Sequence, residues 1–239
     1  MTIFLTAEWR YLLMLNFSVE PELLRPYVPR GTELDTWNGI AYVSVVGFLF
    51  LRTRVLRVPV PFHRNFEEIN LRFYVRRRGP EGWRRGVVFL KEIVPRKAIA
   101  AVARLRYQEP YVAMPMRHRL ERENDTLRTG GAAEYGCYHQ GRWHSIRATS
   151  VGAPHALARG SEAEFIAEHY WGYTARRDGR CSEYRVEHPP WRVWDAQEAA
   201  LDCDVASLYG ARFAQPLGVP PRSAFIAEGS PVTVHAAIL

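Results

Sequence analysis

The alternation of apolar and polar residues predicts a β-hairpin in the first half of the chain. In EEINLRFYVRR (67–77) every second residue from Ile69 to Val75 is apolar, as expected for a strand with one buried face. RGVVFLKEIV (85–94) follows across a glycine-containing loop and is its predicted partner strand. The other face of the first strand carries Glu68, Asn70 and Arg72, which we interpret as a solvated or ion-paired surface.

Further strands are predicted where β-branched and aromatic residues cluster between turn signals. These segments are 39–51, 111–122, 134–140, 143–152, the hairpin 175–188 and the final hairpin or strand pair 224–238. Proline placement, capping and alanine content predict short helices at 19–29, 98–105, 161–171 and 201–210. Many short strands without regular strand–helix alternation indicate an antiparallel sheet that folds or closes on itself.

Composition indicates one globular domain. The chain has 239 residues, of which 47% are apolar and 24% are charged. No repeat or linker interrupts it, so we predict a single domain over residues 1–239. Phe, Trp and Tyr make up 13% of the residues. This share of large rings indicates either a roomy core or a ligand cavity lined by rings.

The sequence also bounds the compartment and the partners. The N-terminal segment lacks the pattern of a signal peptide, and no apolar run is long enough to span a membrane, so no membrane partner is expected. The three cysteines form no CxxC pair, which fits a reducing cytoplasm and gives no reason to expect a disulfide, a metal or a cofactor. A homo-oligomer is compatible with the sequence but nothing in it requires one.

The net charge of +7 is concentrated partly in one predicted hairpin. RRR (76–78) and RR (84–85) flank a turn, and they form either a solvated tip or a contact for nucleic acid. The basic residues do not recur along a helix face, and no known nucleic-acid motif is present, so we favour the solvated tip.

Glu67 is the first candidate for chemistry. If the strand alternation extends back to its start, Glu67 shares the apolar face of Ile69 and Leu71, where a carboxylate needs a partner or a proton. The alternative is that the strand begins after Glu67 and that its side chain points to water.

Arg96 and Lys97 follow Pro95 at the end of an apolar run. A second cation and a dry environment lower the pKa of an amine, and a neutral lysine can form a Schiff base with a carbonyl. The simpler interpretation is an exposed corner of the protein, because adjacent cations are common on surfaces.

The histidines give no metal-binding spacing such as HxxxH. His169 lies at the predicted end of a helix, and His188 shares a predicted strand face with apolar residues. Trp171 and other aromatic residues are close to both in sequence. These residues either line a cavity or pack in the core, and the sequence leaves the choice open.

Several segments together resemble one bacterial family. They are FLTAEWRYLLMLNF, PELLRPYVPRGTELDTWNG, PFHRNFEEINLRFYVRR, KEIVPR, EHYWGY, EYRVEHPPWRVW and AFIAEGSPV. The chain is identified from them as similar to the YqjF-like family, domain of unknown function 2071, which is placed in the acetoacetate-decarboxylase-like fold group. The resemblance implies a mainly β (α+β) fold: a closed, cone-shaped antiparallel β-barrel with a pocket inside and a few short helices outside.

The resemblance also implies where a decarboxylase site would lie. Those enzymes use Glu-x-x-Gly-x-Pro-Lys-Lys, in which the first lysine forms the Schiff base. Pro95-Arg96-Lys97 is similar to its end, but Arg96 stands at the nucleophile and cannot form an imine, and Lys97 matches only the helper. Their catalytic glutamate maps best onto Glu67, with Glu68 as the alternative.

These observations give one leading hypothesis and two alternatives. The leading one is a cytoplasmic protein that binds a small organic molecule, such as a carboxylate or keto acid, in a barrel pocket without a Schiff-base lysine. Glu67 is its candidate acid–base group, and the candidate ligand-binding residues are Arg96, Glu68, His63, His169, Trp171 and His188. The alternatives are a lyase with Lys97 as nucleophile and a basic protein that binds nucleic acid.

Overall fold

The structure, a computed structural model, describes residues 2–101 and 108–238. Its strands are β1 (Ile3–Val19), β2 (Glu33–Leu34), β3 (Ala41–Val55), β4 (Val58–Pro59), β5 (Phe66–Gly79), β6 (Gly82–Val94), β7 (Tyr111–Ala113), β8 (Met116–Leu120), β9 (Arg122–Glu123), β10 (Thr126–Leu127), β11 (Ala132–His139), β12 (Arg142–Ala156), β13 (Trp171–Ala175), β14 (Cys181–Glu187), β15 (Arg192–Asp202) and β16 (Ser223–His235). The helices are Pro21–Leu24, Glu162–Ala167, Val205–Tyr209 and Ala214–Leu217, with 3-10 turns Arg25–Tyr27 and Ala211–Phe213 and helical residues 97–101. The mainly β class expected from the sequence is confirmed.

Seven strands form a closed ring of hydrogen-bonded neighbours. Their order is β1, β3, β5, β6, β13, β14 and β16, and β16 pairs again with β1. Neighbouring strands in the ring are antiparallel except β6 and β13, which run parallel, so the ring departs from the wholly antiparallel barrel that was expected. Closure pairs the edges of the sheet and encloses an interior.

A second layer covers one side of this ring. From β16 the sheet continues through β15, β12, β11 and β8. The main hydrophobic core lies between the layers, where Leu13, Val45 and Leu71 of the ring pack in one cluster with Tyr135 and Ile146 of the second layer. Close packing therefore fills one face of β1, β3 and β5 and leaves their other face to the ring interior.

Local sequence signals account for several elements. The predicted hairpin is present as β5 and β6, whose residues pair in antiparallel register. Ser161 caps the helix Glu162–Ala167 by accepting a hydrogen bond from the backbone N–H of Glu164 at 3.1 Å, as the capping-box spacing predicts. Of the alanine-rich segment 98–105, residues 98–101 are helical and the remainder lies outside the described residues.

Other elements differ from the prediction. The segment 111–122 is broken into short strands instead of forming one, and β1 and β15 were not predicted. The expected final hairpin is one long strand, β16. Gly229, inside this strand, has φ 77° and lies against the Trp9 carbonyl of β1, where a Cβ atom would clash.

Candidate functional site

The ring encloses a cavity of about 210 Å³. Each of its seven strands contributes at least one lining side chain. Examples, one for each strand in ring order, are Trp9, Phe50, Glu68, Glu92, Trp171, Tyr184 and Val234. The cavity is thus the interior of the barrel, on the face of β5 opposite the main core.

Aromatic rings form the apolar wall of the cavity. The Trp9 ring meets Phe48 and Phe50 edge-on, and Phe50 stacks on Phe66 with 4.7 Å between ring centroids. Trp191 closes the cluster against Trp9. Packed rings of this kind hold an apolar or planar ligand body and exclude water from it.

Three buried carboxyl groups converge on the cavity. Glu92 on β6 stands opposite Asn70 of β5, and Glu68 lies two residues before Asn70 on the same strand face. Glu109 comes from the segment leading into β7, whose residue Tyr111 is the register partner of Glu92. Alternation along two paired strands therefore aligns the polar side chains in the interior.

Hydrogen bonds hold two of these carboxyl groups. The Asn70 amide donates to Glu68 at 2.9 Å, and the Tyr111 hydroxyl donates to it at 3.3 Å. The Tyr184 hydroxyl donates to Glu109 at 2.6 Å. The Tyr184 ring packs directly against Gly172, where any side chain would overlap it. Glu92 Oε2 is buried without a partner among the described residues.

Burial changes the acidity of the three groups. It raises the pKa of Glu68 to about 7, against the opposing hydrogen bonds from Asn70 and Tyr111. It raises the pKa of Glu109 to about 8. Burial, followed by the charges of Glu109 and Glu68, raises the pKa of Glu92 well above its usual range. The cluster therefore holds protons at neutral pH, and Glu68 exchanges its proton there.

Arg72 places a positive charge beside these groups. It is buried on the cavity face of β5, and its Nη2 donates to the Ile166 carbonyl at 3.3 Å and contacts Met14 Sδ at 3.7 Å. Its Nε–H has no partner, and no ion pair within residues 2–101 and 108–238 includes it. A buried guanidinium without a carboxylate partner is unusual and costly.

Four residues proposed from the sequence do line the cavity: His63, His169, Trp171 and His188. His169 stacks on Tyr74, and its Nδ1–H donates to the Ile166 carbonyl at 3.3 Å. Burial, followed by the charges of Arg85 and Arg72, lowers the pKa of His169 well below its usual range. It is therefore neutral, with Nε2 as a free acceptor among the described residues.

Glu68 also lines the cavity, and the interpretation of its strand face as a solvated surface is wrong. Glu68, Asn70 and Arg72 are all buried, because the closed ring encloses that face. Glu67 lies on the opposite face and does not reach the cavity. It binds His118 at 2.7 Å, and this hydrogen bond lowers its pKa.

Arg96 and Lys97 are both exposed, and neither lines the cavity. The chain turns into a helix at Lys97, so both side chains leave the barrel just where β6 ends. From this exposed position Lys97 does not reach a ligand inside the cavity, which rules against it as a Schiff-base nucleophile there. The only other lysine of the sequence, Lys91, lies on the other face of β6 and donates to the Leu208 carbonyl.

The basic hairpin tip is largely neutralised by ion pairs. Arg76 binds Glu33 at 2.6 Å, and Arg85 binds Asp35 at 2.6 Å. Arg77 and Arg84 share one carboxylate, that of Glu183 on β14. These pairs remove most of the positive charge that a nucleic-acid contact would use.

The described residues, 2–101 and 108–238, contain neither a metal-binding cluster nor a membrane-spanning helix. No group of three or more His, Cys, Asp or Glu side chains there is arranged to hold a metal ion. No helix in those ranges is long and apolar enough to cross a membrane.

Known structures share this architecture at low sequence identity. Acetoacetate decarboxylase from Legionella pneumophila is 12% identical, with a TM-score of 0.70 over 99% of this chain and 86% of that chain. The enduracididine biosynthesis enzyme MppR, solved in complex with pyruvate, is 12% identical, with a TM-score of 0.67 over 100% of this chain and 91% of that chain. These likenesses show that the fold is of the acetoacetate-decarboxylase-like type.

Sequence comparison identifies the family. The uncharacterised protein YqjF of Bacillus subtilis is 27% identical over 207 residues, covering 84% of this chain and 80% of the relative. Residues 6–231 match the family described as an uncharacterised conserved protein, DUF2071. The match spans nearly the whole chain and agrees with the motifs that first suggested it, and the protein therefore belongs to the DUF2071 family.

Proposed function

We propose that the protein binds a small oxo acid in the barrel cavity and transfers a proton at the carbon next to its carbonyl group, without forming an imine. The observation that carries this proposal is Arg72, a buried cation without a carboxylate partner among the described residues, beside carboxyl groups that retain protons. Arg72 thus replaces the exposed Arg96, which the sequence suggested, as the proposed partner of the ligand anion.

A carboxylate ligand would complete the environment of Arg72. Its two oxygens match the planar guanidinium, and an ion pair in a dry cavity offsets the cost of burying each charge. The neighbouring Glu92 and Glu109 do not cancel the cation, since their raised pKa values keep them protonated at neutral pH. Protonated carboxyl groups donate hydrogen bonds, so they also accept an anion as a neighbour.

Glu68 is the best-placed acid–base group. With a pKa of about 7 it is present in both protonation states at neutral pH, which suits proton transfer in either direction. The Tyr111 hydroxyl, which donates to Glu68 at 3.3 Å, can turn its one O–H to a carbonyl oxygen instead and stabilise the negative charge that develops there. The aromatic wall keeps water away from the reacting carbon.

Two further observations support this choice of chemistry. Neither of the two lysines lines the cavity, which favours direct acid–base chemistry over an imine. A structure of similar fold is a complex with pyruvate, which is a 2-oxo acid. We also propose the cytoplasm as the compartment, in keeping with the three free cysteines.

Ligand binding is tested by thermal shift with pyruvate and longer 2-oxo acids. We expect at least one to raise the melting temperature, and Arg72→Gln to weaken its affinity about ten- to a hundred-fold, as for a lost charged hydrogen-bonded contact. Arg159→Gln, an exposed arginine outside the cavity, is the matched control. Equal binding by Arg72→Gln and the wild type would exclude Arg72 as the anion partner.

Proton transfer is tested separately by NMR. The protein should catalyse exchange of deuterium from heavy water into the carbon next to the carbonyl of the bound oxo acid, and Glu68→Gln should lose this while retaining binding. Borohydride in the same reaction should leave the protein mass unchanged. Exchange that survives Glu68→Gln, or an adduct on Lys91 or Lys97, would refute the mechanism.

A further inference from the structure

One exposed segment lies where the cavity meets solvent. Residues 51–65, here called the mouth segment, run from the end of β3 through β4 to the residue before β5. Val60 and His63 line the cavity, and both are accessible from outside. Lining residues that are partly exposed mark the opening of a cavity, so the mouth segment borders the route into the barrel.

The mouth segment presents apolar side chains to solvent. Phe62 is 89% exposed, Val58 is 62% exposed and Leu56 is 61% exposed. They exceed every other large hydrophobic side chain in the described residues, of which Val219 at 52% is next. Exposed apolar side chains concentrated in one segment mark an interaction site more often than scattered ones do.

The same segment is strongly basic. It contains no Asp or Glu, and Arg52, Arg54, Arg57 and Arg64 are all exposed. Arg52 pairs with Glu8 at 2.6 Å, whereas the other three make no ion pair with any described residue. These unpaired charges contrast with the ion-paired arginines of the 76–85 hairpin tip.

Several residues of the mouth segment have a strained backbone conformation with positive φ. Leu56 and Arg57 form the two-residue turn between β3 and β4, with φ of 49° and 69°. Positive φ at both positions is typical of turns that favour Asn-Gly, and Leu there costs about 1 kcal/mol. Phe62 also has a positive φ, 60°. Bulky residues at strained, exposed positions indicate a role outside the fold itself.

We propose that the mouth segment docks the protein onto an anionic lipid surface. Its apolar tips would enter the boundary between headgroups and acyl chains, and its three unpaired arginines would bind the lipid phosphates. No helix within the described residues spans a membrane, so this contact is peripheral, and it replaces the expectation that no membrane takes part. The inference does not depend on the ligand proposed above.

Two other partners fit these features less well. A second copy of the chain in a symmetric contact would bring the unpaired arginines of both copies together, and like charges would repel. Nucleic acid would pair with the arginines and stack a base on Phe62, but it offers no apolar partner for the aliphatic side chains of Leu56 and Val58. A lipid surface accommodates both the charges and the aliphatic side chains.

The test is co-sedimentation of the full chain with vesicles. We expect binding to phosphatidylcholine vesicles that contain phosphatidylglycerol, little binding to phosphatidylcholine alone, and release at high salt. Phe62→Ser should weaken partitioning about ten-fold, and each of Arg54→Gln, Arg57→Gln and Arg64→Gln about five-fold. Val219→Ser and Arg159→Gln, exposed positions elsewhere, should leave partitioning unchanged.

A second variant separates docking from folding. Replacing Leu56-Arg57 by Asn-Gly removes the strain of the turn, so the melting temperature should rise while vesicle binding falls. The proposal is overturned if the wild type binds neither vesicle or both equally, or if Phe62→Ser binds as well as the wild type. It is also overturned if light scattering shows a dimer that Phe62→Ser dissociates, or if the arginine variants lose DNA binding and keep vesicle binding.

Discussion

The residues of β5 alternate along one stretch of sequence, but its two faces lie in different environments, one in the packed core and one in the cavity. Ile69, Leu71 and Phe73 are buried in the core between the two layers. Their neighbours Glu68, Asn70 and Arg72 are equally buried but face the enclosed cavity. One strand thus supplies both the packing that stabilises the barrel and the polar groups of the candidate site.

Burial of side chains has two different energetic effects on the two faces of β5. On the core face it removes apolar area from water and stabilises the fold. On the cavity face it desolvates ionisable groups, which opposes folding and alters their acidity. Substitutions on the two faces should therefore have opposite consequences for stability and for binding.

The largest effect is expected from the core face. Leu71→Ala removes a fully buried side chain and leaves a cavity in a packed layer, so the free energy of unfolding should fall by about 2–5 kcal/mol. Urea denaturation measures this change. Leu56→Ala, at an exposed leucine, should stay within about 0.5 kcal/mol of the wild type. A loss below about 1 kcal/mol for Leu71→Ala would mean that the two layers are loosely packed.

A smaller effect is expected from the acidity of the cavity face. The folded pKa of Glu68, about 7, lies above its ordinary value of 4.5, and that of Glu109 is about 8. Between the ordinary pKa and the folded pKa of each group, the folded state therefore binds more protons than the unfolded state. Stability should decline as the pH rises from about 5 to about 8, by roughly 3 kcal/mol for each carboxyl group. Urea denaturation at a series of pH values measures the decline.

Glu68→Gln should flatten this dependence, and Glu67→Gln is the control one residue away. The pKa of Glu67 is lowered, so its contribution is complete above its unfolded pKa and is lost only as the pH falls through the folded value. Glu67→Gln should leave the slope between pH 5 and pH 8 unchanged. Equal slopes in the wild type and Glu68→Gln would show that Glu68 is not desolvated.

The smallest effect concerns the hydrogen bond between His118 and Glu67 on the core side of β5. His118→Ala should lower stability by less than about 1 kcal/mol, because the His118–Glu67 pair is partly exposed to solvent. Oxo-acid binding and deuterium exchange should be unchanged, since neither residue lines the cavity. Loss of exchange in His118→Ala would return Glu67 to the candidate site.

Much of the fold could be predicted from local sequence. Alternation located β5 and β6, and capping located the helix Glu162–Ala167, because these signals depend on neighbours a few residues away. β1 has an unbroken apolar run from Leu12 to Leu15, and β15 carries charged residues on both faces, so neither strand shows the alternation. The segment 224–238 was predicted as a hairpin or strand pair, but it is one long strand that pairs with the distant β1.

The candidate site could be predicted only in part. His63, His169, Trp171, His188 and Glu68 line the cavity as expected. Glu92 and Glu109 were missed, since each is one acidic residue in an ordinary context until β6 and the segment before β7 come together. The alternation in β5 did place Arg72 on the same polar strand face as Glu68, but we interpreted that face as exposed to solvent.

The sequence by itself determined the family, the strand-rich class and the scarcity of lysine, which depend on composition, motifs and short-range periodicity. It also determined that β5 has two chemically different faces. Only the tertiary structure decided which face is enclosed, because closure depends on the pairing of β1 with β16, more than two hundred residues apart. That pairing turns the polar face of β5 inward, and it makes Glu68 and Arg72 a candidate site.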